Sequence, residues 1–198
     1  MPLADYLALL ALATAMAFTP GPNTTLAAAI AANRGLGAAL RFCAAVPVGW
    51  LLLMLAASLG LGGLLTAQPA LRGAVKWTGL AYLVWLAWRL AQAGPLSQGD
   101  PRRLEVGFVQ GVLLQFVNIK AWLAALLIAA GWVAPGPLGE RLLVVLPTLA
   151  FFAFSSNFSY ALLGASLRRW LQTGQRLRWF NRAMAGVLLA TAAWMTGA

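Results

Sequence analysis

A motif near the start of the chain, Thr19-Pro20-Gly21-Pro22-Asn23, could bind an anion through backbone amides. Two prolines and a glycine cannot continue an α-helix, because each proline lacks an N–H and its ring clashes with the carbonyl one turn back. A second helix would then begin near Thr24, where Asn23 or Thr24 could cap the first free amide groups. The positive end of that helix would attract a carboxylate. The alternative interpretation is a proline kink that only shapes packing.

The motif lies inside 28 consecutive uncharged residues, 6–33, whose flanks are rich in Leu, Ala, Met and Phe. A bilayer would offer no water to the backbone groups that such a break sets free. Non-helical backbone at membrane depth is tolerated only where it is packed in protein or lines a wet cavity. The break is therefore a candidate binding site.

Lys120 is the single charged residue deep inside an apolar segment, some 15 residues after Glu105. A charge at that depth costs about 2.5–3.5 kcal/mol on insertion scales, so it usually faces a cavity or a partner. Its partner could be a backbone carbonyl, a distant acid or the carboxylate of a bound substrate. The alternative is that Lys120 extends outward to the membrane surface from a tilted helix.

A polar patch, residues 155–160, interrupts a later apolar segment. Ser156, Asn157 and Tyr160 would share one face of a helix, because residues three and four apart are neighbours there. Hydrogen bonding between helices is the default interpretation. The alternative is that this face lines the route of a solute, with Asn157 as a substrate ligand.

Several kinds of chemistry are excluded by the residues that the chain lacks. It has no histidine, one cysteine (Cys43) and no deep carboxylate. A Ser/His site, an aspartyl dyad and a His/Cys/acid metal cluster therefore cannot be assembled. We expect no enzyme activity, no cofactor and no metal.

The composition is that of a membrane protein. Of 198 residues, 62% are hydrophobic and 9% are charged, and the mean hydropathy is +0.81. Soluble domains carry about 25% charged residues. The chain therefore forms one membrane domain. Its net charge of +10 falls mainly between apolar blocks, which fits contact with anionic lipid headgroups better than binding to nucleic acid.

Six apolar blocks are long enough to span a bilayer as helices. They are residues 3–32, 42–66, 74–92, 105–133, 142–167 and 180–198. The third is the weakest, so five spans is the competing count. The first block lacks the features of a cleaved signal peptide, and we expect it to be retained.

The distribution of Lys and Arg predicts the orientation. Ten lie in the loops after the first, third and fifth segments: Arg34, Arg41, Arg89, Arg102, Arg103, Arg168, Arg169, Arg176, Arg178 and Arg182. The opposite side has three: Arg72, Lys76 and Arg141. This asymmetry places the odd loops in the cytoplasm and both termini outside.

Three spans in each half would make the second half an inverted copy of the first, as in many transporters. The two repeats would cover about residues 1–95 and 100–198. In the third span, Lys76 and Trp88 follow Leu71 at a certain spacing. Arg182 and Trp194 follow Leu177 in the sixth span at the same spacing. The motif at Asn23 would correspond to Asn118-Ile119-Lys120.

The chain resembles the LysE/RhtB family of amino-acid exporters. The resemblance rests on Thr19-Pro20-Gly21-Pro22-Asn23 followed by Asn33-Arg34-Gly35, then Gly107-Phe-Val-Gln-Gly111, Asn118-Ile-Lys120-Ala121 and the segment from Asn181-Arg182 to Gly186. It implies a bacterial inner-membrane exporter of amino acids or their derivatives that is driven by the proton motive force and is dimeric. It also implies functional roles for Pro20, Gly21, Pro22, Asn23, Asn118 and Lys120.

The chain departs from the family pattern at Ile119, where the family usually has proline. We therefore expect the fourth span to be less sharply broken than the first.

The leading hypothesis is an all-α membrane protein of six helices that exports an amino acid by alternating access. The substrate would bind between the halves, with its carboxylate near Thr24 or Lys120. The candidate substrate ligands are Thr19, Pro20, Gly21, Pro22, Asn23, Thr24, Asn118, Lys120 and Asn157. Asp5 is a weak candidate for proton coupling. The alternatives are a scaffold protein that does not transport and a passive channel for small solutes.

Overall fold

The computed structural model describes residues 1–93 and 106–197, and over these ranges the chain is helical without β-strands. The α-helices are α1 (Leu3–Phe18), α2 (Pro22–Arg34), α3 (Leu36–Ala56), α4 (Gly62–Ala67), α5 (Pro69–Ala91), α6 (Phe108–Val117), α7 (Ile119–Ile128), α8 (Leu138–Leu171) and α9 (Arg176–Gly197). Two π-helical turns, Ala57–Leu61 and Ala129–Val133, follow α3 and α7. The predictions that rest on Arg102, Arg103 and Glu105 lie outside the described residues, as does the boundary between the two halves.

The break predicted in the first segment is confirmed, with α1 and α2 bent by 50°. The amide of Thr19 closes α1 by donating to Ala15 O, and Pro20 cannot continue the ladder. Pro22 occupies the first turn of α2, where a missing N–H costs nothing. The second half-helix therefore begins at Pro22, two residues before the predicted start near Thr24.

The fourth segment is also broken, and more sharply, because α6 and the helix from Ile119 to Val133 are bent by 69°. The prediction that the absence of proline would soften this break is wrong. Asn118 adopts an extended conformation (φ −91°, ψ 101°). The indole of Trp122 donates to Phe116 O at 2.8 Å and thereby pairs a carbonyl that the break leaves without its helical partner.

Two helical segments in the described part of the chain, Leu36–Leu65 and Leu138–Leu171, are long and apolar enough to cross a membrane, although the first is kinked at Gly60 (φ 109°). If each bent pair counts as one span, the number rises to four. The helices α5 and α9 are 23 and 22 residues long, but they carry several Lys and Arg residues and fall outside this set. Six spans therefore remains a prediction.

The helix α2 forms the centre of the molecule, since 11 of its 13 residues are buried. Its neighbours are α3, α8 and α9. Small side chains allow this close packing, as is usual between membrane helices. A Cβ added at Gly164 of α8 would overlap the carbonyl group of Ala28 in α2.

By contrast, α1 lies at the periphery. Only Leu9 and Ala13 of its 16 residues are buried. The first segment therefore consists of one half-helix enclosed by the protein and one half-helix that contacts little besides α8.

Candidate functional site

A cavity of about 70 Å³ lies between the two helix breaks. A cavity needs only about 10–15 Å³ on this measure to hold one water molecule. Its polar lining residues are Thr19, Gly21, Asn23, Thr24, Asn118, Lys120, Ser156 and Asn157. Its other lining residues are Ala13, Met16, Ala17, Pro22, Trp50, Ala121, Ala124, Ile128, Leu149, Phe152 and Ala153. Of the predicted substrate ligands, Pro20 is the one that does not line it.

Lys120 extends from the second break to the first. Its ammonium group donates to Thr19 O at 3.2 Å. Of the partners considered from the sequence, the structure therefore shows a backbone carbonyl. An ammonium group has three donors, so two remain for a ligand in the cavity.

Gly21 leaves room for this lysine. Its backbone is extended (φ −168°, ψ −173°), a conformation open to any residue, so conformational freedom does not explain the glycine. A Cβ at this position would lie 3.3 Å from Lys120 Nζ, which is closer than most real contacts allow. The glycine therefore keeps a side chain out of the space that the lysine occupies.

Asn23 and Thr24, in the first turn of α2, line the same cavity. Thr24 Oγ1 accepts a hydrogen bond from Gly21 N–H at 3.0 Å, so the Thr24 side chain stabilises the start of the helix. The helical ladder begins with Thr25 N–H donating to Gly21 O. Within the described chain, the amides of Asn23 and Thr24 have no backbone acceptor. They form the free, positively polarised end of a helix.

Of the two residues predicted as possible caps of α2, Asn23 and Thr24, the side chain of Asn23 bonds elsewhere. Its amide forms a reciprocal pair with Gln115 of α6, with distances of 2.8 Å and 3.1 Å between the paired atoms. Asn23 therefore does not cap α2, and its side chain ties the first break to α6. Gln115, which is fully buried, was missed by the sequence interpretation, although a glutamine inside the apolar run 111–117 was a usable signal.

Three buried polar atoms at the cavity lack a hydrogen-bond partner in the described structure. They are Asn118 Oδ1, Ser156 Oγ and Asn157 Oδ1. Their residues are 3%, 1% and 3% exposed, respectively. Buried polar atoms are normally paired, since leaving one unpaired costs about 1–3 kcal/mol. The three residues that carry these atoms all line the one cavity.

The polar patch, residues 155–160, was interpreted by default as a source of hydrogen bonds between helices. That interpretation holds for Tyr160 but not for Ser156 or Asn157. Tyr160 donates its hydroxyl to Phe18 O at 3.0 Å, which joins α8 to α1. Asn157 instead donates to Ala153 O within α8, at 2.7 Å. Ser156 has no partner, so the alternative in which this face lines a cavity fits Ser156 and Asn157.

The structure does not bring Asp5 to the site. Asp5 lies exposed in the first turn of α1, and its backbone carbonyl accepts a hydrogen bond from the Trp132 indole at 2.7 Å. Among the residues lining the cavity, Lys120 is the one ionisable side chain. The site thus combines one cation, free amide donors, unpaired oxygen acceptors and an apolar wall, and it contains no nucleophile paired with a base.

A chain that is helical over its described residues, with apolar spans and a mainly apolar cavity that carries a few polar groups between two broken helices, has the build of a membrane translocator for small molecules. The family model described as "LysE type translocator" matches residues 14–195. The chain belongs to this family, the LysE/RhtB amino-acid exporters, and so is a multi-pass protein of the bacterial inner membrane and not an enzyme.

The curated relatives are efflux proteins. A cysteine/O-acetylserine efflux protein of Klebsiella pneumoniae is 33% identical over 170 residues, which is 85% of this chain and 86% of the relative. The protein of that name from Salmonella typhimurium is 32% identical over 77% of this chain and 78% of its own length. The one from Escherichia coli O1:K1 is 33% identical over 81% and 83%, respectively. No solved structure matches the chain.

Proposed function

We propose that this protein exports small α-amino acids with uncharged side chains, or their derivatives, by secondary active transport. The observation that carries the proposal is that one cavity between two helix breaks is lined by Lys120 and by three residues whose buried polar atoms are unpaired in the described structure. The relatives named for export of cysteine and O-acetylserine support it, because both of those compounds are α-amino acids without a charged side chain.

The two charged groups of an amino acid match the two kinds of polar group in the cavity. The carboxylate would bind the ammonium of Lys120 and the free amides of Asn23 and Thr24, as anions bind at helix N-termini. The ammonium would donate to the unpaired oxygens of Asn118 and Asn157, with Ser156 within the same polar wall. Thr19, Gly21 and Pro22 would shape the backbone around the carboxylate.

The remaining wall favours a neutral side chain. It contains five alanines together with Trp50, Leu149 and Phe152. Among the described residues, the lining has no carboxylate to pair with a cationic side chain and no second cation to pair with an acidic one. A buried charge without a partner is costly, so lysine and glutamate would be rejected.

We propose that six spans form a single transporter domain of two inverted repeats, about residues 1–95 and 100–198. The two broken segments would be equivalent, with α5 and α9 as the third and sixth spans. The observations that support this are the break in each half and the packing of α5 against α9. Rocking of one repeat against the other would expose the cavity to each side in turn.

In the proposed orientation both termini lie outside, and this conformation is closed towards the cytoplasm. The supporting observation is a buried reciprocal pair between the side chains of Asn33 in α2 and Asn181 in α9, with N···O distances of 2.8 Å and 3.0 Å. Asn181 also donates to Ala93 O, just beyond the end of α5. The cavity lies on the other side of the breaks, beside α1 and α7.

The driving force and the assembly follow from the family resemblance and remain proposals. We propose coupling to the proton motive force and a homodimer in the lipid membrane. Asp5 is the proposed coupling group, and a proton bound there would act through α1, because Asp5 does not line the cavity.

Counterflow in proteoliposomes tests the proposal. Vesicles containing the purified protein and loaded with unlabelled cysteine should accumulate labelled cysteine, and external serine or O-acetylserine should compete for uptake. Lysine and glutamate should not compete. A passive channel would equilibrate the label without a counterflow overshoot, and a scaffold protein would give no uptake. Either result would reject the exporter function.

A further inference from the structure

The C-terminal end of α1 is held in place mainly by side chains that donate to its backbone. Apolar contact holds it weakly, because two of its residues are buried, whereas 11 are buried in α2. The two half-helices are separated by the break at residues 19–21, so α1 can move while α2 stays fixed. Short, weakly packed elements of this kind are the ones that open locally.

Among the described residues, three side chains from elsewhere in the fold donate to backbone carbonyls of α1 or of Thr19, the residue that follows it. The Trp132 indole bonds Asp5 O at 2.7 Å near the start of the helix. At the other end, Tyr160 bonds Phe18 O at 3.0 Å and Lys120 bonds Thr19 O at 3.2 Å. The last carbonyls of a helix lack partners within the helix, so these two bonds satisfy atoms that the break exposes.

We infer that Tyr160 is a positioning residue that holds α1 over the cavity together with Lys120, and that α1 is the gate on this side of the substrate site. The inference rests on the proposed function for the role of substrate. A substrate carboxylate that takes the Lys120 ammonium away from Thr19 O removes one of the two hydrogen bonds that Lys120 and Tyr160 donate at this end of α1. Substrate binding thereby loosens the gate.

Tyr160 suits this role because it touches the gate without lining the cavity. Its hydroxyl spans from α8 to α1, so it connects two elements that separate when α1 moves. Loss of that one hydrogen bond should shift the gate equilibrium towards opening by roughly two- to tenfold. The affinity of the site for substrate in the closed state should stay the same.

The variant Tyr160→Phe removes the hydroxyl alone, and Tyr82→Phe is the matched control, because the Tyr82 ring stacks on Trp85 in α5. Spin labels would be placed at Ala15 on α1 and Leu163 on α8, both exposed, after Cys43→Ala removes the native cysteine. The distance between the two spin labels, measured by double electron–electron resonance, then reports the position of α1 relative to α8.

We expect the labelled parent without substrate to show one main distance between the labels. Addition of a saturating neutral amino acid to the parent should produce a second distance, which reports the displaced α1. Tyr160→Phe should show this second distance even without substrate. Lys120→Met should also give it without substrate, which covers the case in which Tyr160→Phe fails to fold. Tyr82→Phe should match the parent. A Tyr160→Phe sample with the parent's single distance would overturn the inference.

The two proposals fail in different ways. If the parent neither binds nor exports amino acids, the proposed function fails, while the substrate-free comparison of Tyr160→Phe with the parent still tests the hold on α1. If the parent exports but Tyr160→Phe leaves the distance unchanged, only the role of Tyr160 fails. A lower melting temperature with an unchanged distance would show a merely structural role.

Discussion

Lys120 supplies the one positive charge among the described residues that line the cavity. A lysine inside an apolar segment disfavours insertion by about 2.5–3.5 kcal/mol, so a purely structural chain would be expected to carry an apolar residue there. The structure gives it one backbone partner, Thr19 O, and a cavity. One carbonyl does not neutralise the charge, so the position favours an anionic ligand.

Replacement of Lys120 by Met should weaken substrate binding by about 10- to 100-fold, because a hydrogen bond to a charged group is worth about 1.5–3 kcal/mol. Folding should survive, since Met fits an apolar helix. The affinity is measured with a labelled neutral amino acid, and the fold is followed by melting in detergent.

The control variant for this test is Lys76→Met. Lys76 also donates its ammonium to a backbone carbonyl, Thr196 O at 2.7 Å, but that contact is exposed and lies away from the cavity. Binding should be retained in Lys76→Met. Equal loss in both variants would mean that Lys120 contributes only general charge, and loss of abundance in Lys120→Met alone would favour the scaffold alternative.

At the scale of helices, the sequence predicted one break correctly for a local reason. Two prolines flanking Gly21 prevent a helix whatever surrounds them, so the 50° bend between α1 and α2 could be read directly. The break at Asn118 could not be read in the same way. It depends on the Trp122 indole pairing with Phe116 O, a contact that is visible only once the segment is folded.

The partners across the cavity were equally hidden from the sequence. Lys120 and Asn157 could be recognised as candidates from their residue types, because polar side chains inside apolar membrane helices are costly and usually have a partner or a function. No local sequence pattern indicated that Lys120 would reach Thr19, or that the Gln115 side chain would form a hydrogen bond with the side-chain amide of Asn23. Those contacts join residues about a hundred positions apart, so they depend on helix packing.

The packing of α8 against α2 supplies a prediction at this scale. Gly164→Ala should lower the stability by about 1–3 kcal/mol, because the added Cβ overlaps the backbone of Ala28 and neither helix can yield without moving its neighbours. The intrinsic preference of helices for alanine acts in the other direction by roughly 0.5–1 kcal/mol and should not compensate.

The matched control is Gly186→Ala in α9, where a Cβ would meet no atom within 4 Å. Its melting temperature should equal or exceed that of the parent. Thermal unfolding of both variants in the same detergent makes the comparison. A Gly164→Ala variant as stable as Gly186→Ala would show that α2 and α8 are not in the close contact described.

At the scale of the molecule, the two sides of the helix breaks differ in packing. On one side α2 is enclosed by α3, α8 and α9, and the Asn33–Asn181 pair joins elements from both ends of the chain. On the other side lie the cavity and the weakly packed α1. A carrier that works by alternating access must open the tightly packed side and close the side of the cavity during its cycle. In such a cycle the Asn33–Asn181 contact must break.

A reversible cross-link tests this requirement. The variant Asn33→Cys/Asn181→Cys, in a Cys43→Ala background, places two thiols at the positions whose side chains now bond each other. Paired amides hold the two Cβ atoms farther apart than the roughly 3.5–4.5 Å of a disulfide, so a short bis-methanethiosulfonate reagent is used to bridge the thiols. Cross-linking should abolish counterflow of labelled serine, which has no thiol, and reduction should restore it, because the bridge holds the two helices together in the closed arrangement. Substrate should still bind to the cross-linked protein, since the cavity lies on the opposite side of the breaks. The single variant Asn33→Cys, treated with the same reagent, controls for other effects of the modification. If the protein stays fully active after complete cross-linking, these helices do not separate during transport and the gate lies elsewhere.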